Sequence, residues 1–347
     1  MVSTTRTAID RALAVRPNLP EALIMRANWV RYVDYDFAAA RRDLDRAEVL
    51  QPATAGLRLA QFMLARDQDN WPEAFRLAKE CLKLDPQDGD NTVALAVGGF
   101  GLRGDFAEAD RLHARAREIQ GLAATTPFNS QVGLRLKWRG PEAALRLWDR
   151  APAGQARLEF THADLLLALG RIDEARAAVE GVSDSSSGNG LGALGNNAGG
   201  ILLALGWDDR ARAWAETTRT EALKQLARGN RAPNVRRTFV AAEIVLGQRD
   251  SALAALAEWR TEMQRLPSVY RRMNEFNLRA ILLYARLGMA DETVALLREW
   301  AANGFLTDGF TLRYSQNYAL VRNDPRFQEL MQQAEALAKA QPDPVDL

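Results

Sequence analysis

The chain has 347 residues, 47% of them apolar and 26% charged, with 45 Lys and Arg against 44 Asp and Glu. A balance so close to neutral excludes the basic bias of a polyanion-binding protein, so nucleic acid is not the expected partner. The length exceeds a usual single core, which leaves two domains or an elongated repeat array.

The N-terminal Met1-Val2-Ser3-Thr4-Thr5-Arg6 carries no apolar run of the kind a signal peptide needs, and the expected location is cytoplasmic. The longest charge-free stretches, Thr92 to Leu102 and Ser185 to Trp207, are broken by glycines. Neither supplies the roughly 20 consecutive apolar residues of a membrane span. Lysine occurs only at 79, 83, 137, 224 and 339, so the basic charge is nearly all arginine, which reads as GC-rich coding in a bacterium. Cys81 is the one cysteine, and His113 and His162 are the only histidines. That set excludes an intrachain disulfide and a thiolate or imidazole metal cage, and no cofactor is expected.

From Ala8 onward, Ala-rich and Leu-rich segments place apolar residues three and four apart, while sustained period-two alternation is absent, so the class is all-α. Small residues opening every second helix occur at Ala40, Ala74, Ala109, Ala143, Ala175, Ala211, Ala252 and Thr293, in steps of 34, 35, 34, 32, 36, 41 and 41. Ala8 to Pro17 reads as a second helix with no first helix ahead of it. An N-terminal effector domain missing from this chain is the expected neighbour there. Between Pro52 and Pro86, Trp71-Pro72-Glu73-Ala74 begins a second helix, with Ala78 and Cys81 as its packing residues. Gly104-Asp105-Phe106-Ala107-Glu108-Ala109 sets a turn that returns at Gly170, Gly206, Gly247 and Gly288. Glycine relieves the turn, an acidic residue favours the next N-terminus, and alanine lets two helices approach. Pro17, Pro52 and Pro86 stop second helices because proline has no N–H to donate. The copy from Pro127 to Ala151 is compressed.

A period near 34 with these landmarks resembles the tetratricopeptide repeat from about Ala8 to Ala302. The resemblance implies a right-handed superhelical α-solenoid of about eight hairpins with a C-terminal capping helix. Tyr35-Asp36-Phe37-Ala38-Ala39-Ala40 and the string Tyr318 to Phe327 look like C-terminal tetratricopeptide regions of bacterial signalling and transcription-regulatory proteins. The string is followed by an amphipathic helix to about Ala340 that can close the final apolar face. Trp259 and Trp300 stand where alanine is usual, which predicts longer second helices and a different pitch in the C-terminal half. The expected organisation is N-terminal repeats over 1–182, a Ser/Gly-rich hinge loop over 183–190, and longer repeats with the capping helix over 191–347.

Gly190-Leu191-Gly192-Ala193-Leu194-Gly195 matches the dinucleotide fingerprint in letters, but no strand delivers it into a helix and Ser183 to Asn189 has linker composition. A hinge is the reading preferred. His113, His162 and Cys81 sit at packing positions and read as structural. No phosphate loop, nucleophile elbow or His-Glu-x-x-His pair occurs, so no catalytic residue is expected.

In such arrays the first helices line the concave groove, which nominates Asn28, Arg31 and Tyr32 as partner-binding residues. The terminal-carboxylate clamp of chaperone-binding relatives is not supported, because Asn28 is followed in the next copies by Gln61 and Gly98. Gly98, Gly99, Gly101, Gly195, Gly199 and Gly200 are expected to leave the groove open at its middle. A basic cluster adds Arg228, Arg231, Arg236 and Arg237, with Arg219 and Lys224 beside them. It reads either as an acidic-ligand surface or as a solvated helix end. The function expected is a protein or peptide-binding scaffold or regulatory module. The alternative is a ligand- or peptide-sensing receptor region of a signalling protein.

Overall fold

The computed structural model describes residues 2–101, 103–182, 197–229, 233–264, 275–304 and 308–341. All of its regular elements among those residues are helices: α1 Val2–Val15, α2 Pro20–Trp29, α3 Phe37–Leu50, α4 Ala55–Asp67, α5 Trp71–Leu84, α6 Gly89–Leu95 and α7 Phe106–Gln120. There follow α8 Thr125–Arg139, α9 Pro141–Asp149, α10 Glu159–Ala168, α11 Ile172–Val179, α12 Ala198–Ala204, α13 Asp208–Ala227 and α14 Pro233–Val245. The series ends with α15 Arg249–Gln264, α16 Glu275–Arg286, α17 Ala290–Ala302, α18 Gly309–Tyr314 and α19 Pro325–Lys339. Helices α2 and α6 each run on through a π turn, at Val30–Asp34 and Ala96–Gly101.

Eight consecutive pairs, from α2/α3 to α16/α17, pack as antiparallel hairpins, and α1 packs alone against α2. Each hairpin is set by one local device. A residue in the left-handed region ends the first helix, and five positions later a small residue is fully enclosed. The left-handed residues are Tyr35, Asp69, Gly104, Gly170, Gly206, Gly247 and Gly288, with φ from 56° to 79°. Their small counterparts Ala40, Ala74, Ala109, Ala175, Ala211, Ala252 and Thr293 have no exposure. The amide after each glycine donates back to the carbonyl five residues earlier, as Asp105 does to Phe100 at 2.9 Å and Arg171 does to Leu166 at 2.9 Å. That bond satisfies carbonyls the helix end would otherwise orphan. Asp36, Asn70 and Asp105 then cap the second helices by accepting from Ala39, Glu73 and Glu108. The fourth hairpin departs: Gly140 with Pro141 makes a shorter turn, and Ala144, not Ala143, is the enclosed residue.

First helices of successive hairpins touch along one row, as α2 with α4, α10 with α12, α12 with α14 and α14 with α16. One apolar cluster carries Leu165 and Val179 together with Ala198, Ile201 and Leu205, so packing continues across the interval that contains the expected hinge. Residues 183–190 themselves lie outside the described residues. The expected lengthening of second helices occurs in α13, with 20 residues, and α15, with 16, but not in α17, with 13. Trp259 and Trp300 are buried, so each ring replaces alanine within a core instead of standing between helices and solvent.

The array does not stay open. Helices α18 and α19 pack against α8, and one cluster unites Phe62, Trp71, Phe106 and Trp138 with Ile281, Trp300, Tyr318, Phe327 and Met331. Arg139 donates to the Ala338 carbonyl at 2.8 Å and the Gln341 carbonyl at 2.6 Å, satisfying the C-terminal end of α19. Lys137 pairs with Asp308 at 3.1 Å, and Arg103 donates to the Asn303 carbonyl at 3.0 Å. Tyr35 and Phe37 of the first hairpin pack on the cluster that holds Trp259, Tyr284 and Leu287. The polar links are surface-type bonds of about 0–1 kcal/mol each, whereas each large apolar side chain buried contributes about 1.5–3 kcal/mol, so the core holds the closure and the arginines set its register. The capping helix therefore closes more than the last apolar face: it seals the last hairpins onto the fourth.

Three of the glycines expected to keep the groove open, Gly98, Gly99 and Gly199, are occupied instead by the chain's own side chains. A Cβ at Gly98 would lie 2.8 Å from Arg66, at Gly99 3.3 Å from Phe62, and at Gly199 2.3 Å from the Trp214 ring. They permit close packing of this chain on itself; Gly195 lies outside the described residues. A Cβ at Gly309 would meet the Glu335 backbone nitrogen at 2.3 Å, where backbone must move, while one at Gly133 in α8 would meet nothing within 4 Å. Gly309→Ala is expected to destabilise by about 1–3 kcal/mol. Gly133→Ala is expected to stabilise by about 0.5–1 kcal/mol. Urea unfolding midpoints of the two variants, moving in opposite directions, check this account of the closure.

Candidate partner-binding surface

Asn28, Arg31 and Tyr32 share one stretch of α2 and its π turn. Tyr32 is exposed with Met25 beside it on the same row, Asn28 and Trp29 are half-buried, and Arg31 is buried. Arg31 pairs with Asp67 at the end of α4, and Asp67 also accepts from Arg66 at 2.7 Å and 3.0 Å. The Arg66 guanidinium in turn lies over Gly98 of the next first helix. Charge-assisted bonds thus tie α2 to α4, and Arg66 packs on the third first helix at Gly98, with Met25, Tyr32 and Val97 exposed on these helices. Gln61, the position after Asn28 in the repeat, is buried and belongs to a second network. Arg58 donates to both oxygens of Glu48 at 2.8 Å, and this arginine holds the Glu48 carboxyl below the ordinary range.

Two members of the basic cluster are engaged with carboxylates that sequence spacing did not bring into view. Arg219 lies 2.6 Å from the fully buried Glu243, and Arg236, itself buried, pairs with Glu262 at 2.5 Å and Glu258 at 3.4 Å. Arg237 is half-buried, and Arg228 and Lys224 are exposed at the end of α13. Arg231 lies outside the described residues, as does the glycine string 190–195. Only a folded hairpin puts Glu258 and Glu262 of α15 over Arg236 of α14; the one sequence signal was their four-residue spacing on a single helix face.

Of the residues weighed for chemistry, Cys81 and His162 have structural partners, whereas His113 Nδ1 is buried with no hydrogen-bond partner. Cys81 lies 3.5 Å from the Ala55 carbonyl, and burial pushes its thiol up to about 11, far from a thiolate at neutral pH. His162 stacks on Trp148 with centroids 4.8 Å apart, and burial lowers its imidazole. His113 is buried beside a network that sequence reading missed: Asp110 accepts from Arg135 at 2.8 Å and 2.6 Å and from Gln131 at 3.1 Å. Among the described residues no group of three or more His, Cys, Asp or Glu could hold a metal ion. An open cleft of about 310 Å³ between α15 and α17 is lined by Arg260, Asp291, Glu292, Ala295, Leu296 and Glu299. No helix among the described residues is long and apolar enough to cross a membrane.

Desolvation lowers His113 to about 4, against an ordinary value of 6.5, with the Asp110 charge acting weakly the other way. A depressed histidine means that the unfolded chain takes up a proton the folded chain refuses between those values. Stability is therefore greatest above pH 6.5 and falls as the pH drops towards 4, on the order of 2–3 kcal/mol for this one group. His113→Leu is expected to flatten that part of the profile, which urea titrations at pH 7.0, 5.5 and 4.5 would read.

No protein-family model matches the sequence, and no curated protein matches it. Solved structures do. The Cut9–Hcn1 hetero-tetramer of the APC/C is similar at 12% identity and a TM-score of 0.41, over 94% of this chain and 51% of that one. A tetratricopeptide repeat protein from Parabacteroides merdae is similar at 12% identity and a TM-score of 0.34, over 92% and 98%. The Naa15/Naa10 complex bound to HypK-THB is similar at 16% identity and a TM-score of 0.31, over 95% and 55%. The chain spans about half the length of the first of these. Identities and TM-scores this low carry nothing about the chain's function.

Proposed function

We propose that this chain is a non-catalytic interaction module whose protein or peptide partner lies along the first-helix wall of the N-terminal hairpins. The observation that carries the reading is the combination on α2 of exposed Met25 and Tyr32 with half-buried Asn28 and Trp29, on a wall made rigid by the Arg31–Asp67–Arg66 chain. An aromatic ring on a rigid element loses little conformational entropy when it binds, and an amide beside it fixes the orientation of a peptide backbone. Asn28 and Tyr32 are the contact residues in this proposal, and Arg31 positions them. Arg228, exposed at the end of α13, offers a second and more polar contact suited to an acidic residue of the same partner, while Arg236 anchors α14 to α15. A cytoplasmic role in bacterial signalling, with an effector domain on the N-terminal side, fits the resemblance in the turn at Tyr35 and the C-terminal string.

A benzophenone photo-crosslinker placed at position 32, in cells of the source organism, is expected to give one discrete adduct. A crosslinker at Val49, 84% exposed on a second helix, is the control. Asn28→Ala is expected to weaken the adduct about tenfold, as loss of about 1.4 kcal/mol would. Equal labelling from positions 32 and 49, or none from 32, would overturn the placement.

A further inference from the structure

We propose that Arg286 and Asn197 form a binding position for one carboxylate or phosphate group on the inner row of the last three hairpins. The position is separate from the α2 wall and does not depend on the reading given to that wall. Arg286 is the last residue of α16, and its side chain is carried across to α12. A Cβ at Gly200 would lie 3.2 Å from its Nη1, 3.3 Å from its Nη2 and 3.4 Å from Asn197 Oδ1. The guanidinium and the carboxamide therefore converge over one bare glycine. Asn197 Oδ1 accepts from the Gly200 amide at 2.7 Å, which leaves the Asn197 NH2 group as the part of that side chain still able to donate.

The fork and that NH2 group are donors without an acceptor. Among the described residues neither has a hydrogen bond or ion pair that would satisfy it. Other arginines among the described residues that reach between helices have such a partner, as Arg31 has Asp67, Arg135 has Asp110 and Arg236 has Glu262. A basic residue in the last turn of a helix is favoured by the helix dipole, but that does not account for its head being laid over another helix. Nor is the head simply in water: Arg286 is only partly exposed, and burial pulls its guanidinium down to about 10. A desolvated cation with a planar fork, beside a second donor and still reachable from solvent, is the arrangement that accepts a planar or tetrahedral oxyanion bidentately. The group is either a free small anion or the carboxylate of a larger ligand.

Thermal unfolding of the full chain tests this at constant ionic strength in sodium chloride, sodium phosphate or sodium acetate. The wild type is expected to gain about 2 °C in phosphate or acetate over chloride, beyond any gain in Arg286→Met. Phosphate alone points to a phosphate ligand and acetate to a carboxylate. Arg286→Met is expected to melt in chloride at or above the wild-type temperature, since it removes a charge with nothing to pair with. Arg286→Lys keeps the charge but loses the fork and should retain less than half of the gain. Arg212→Met, at an exposed position, should retain all of it. Equal melting in all three salts, or a gain that survives in Arg286→Met, overturns the proposal. So does a failure of Arg286→Met to fold, because that would make the arginine a structural element.

Discussion

Everything in this fold depends on one local constraint repeated along the chain: a left-handed residue followed five positions later by a side chain small enough to vanish between helices. The first fixes the direction in which the second helix leaves, and the second fixes how closely the pair can approach. With both in place, one side of every helix is still uncovered, and only the next hairpin can cover it. Tyr35 and Asp69 show that the constraint lies in the backbone. They hold φ values of 56° and 60° where five other hairpins use glycine. Such positions cost a non-glycine residue about 1 kcal/mol or more, which is tolerated here because the enclosed Ala40 and Ala74 over-determine the turn.

Closure of the array is a second-order consequence of the same packing. Hairpins that leave a curved inner row bare can recruit a partner or use their own chain. Here Phe327, Met331 and Trp300 share a core with Trp138 and Phe106, so much of the inner row is lined by the protein itself. Small residues admit this as they admit the hairpins: Gly140 faces the Phe310 ring and Gly309 faces the α19 backbone.

The period, the turn glycines and the enclosed alanines were all legible in the sequence because each is a local requirement on residue size or φ. The fourth hairpin was misread by one residue, Ala143 for Ala144, because the Gly140-Pro141 turn breaks the spacing on which the alignment rested. The closure was not legible. It arises from contacts between residues about two hundred positions apart, such as Arg139 with Gln341, and nothing in a window of one repeat records them. Glycine showed the same limit: the bare backbone at Gly98, Gly99 and Gly199 was legible and was read as an open groove, but not that Arg66, Phe62 and Trp214 fill it. For the candidate site, the sequence nominated Arg31 and Arg236, yet the burial of Arg31 and the pairing of Arg236 depend on carboxylates contributed by neighbouring helices.

Those pairings explain why an almost neutral chain carries so many internal arginines. Arg26 with Asp43, Arg31 with Asp67, Arg135 with Asp110, Arg236 with Glu262 and Arg313 with Glu335 each join two different helices. A buried pair of this kind adds little net stability, because desolvation offsets most of the attraction; removing one partner alone is costly. The useful property is that asymmetry. In an array built from similar alanine-rich faces, a slip by one turn would cost little in apolar contact, but it would strand a charge at each of these junctions. The pairs therefore act chiefly on register, choosing among stackings that hydrophobic burial hardly distinguishes. Arg286 stands outside this scheme, since it crosses between helices as the others do yet fixes no register through a partner of its own.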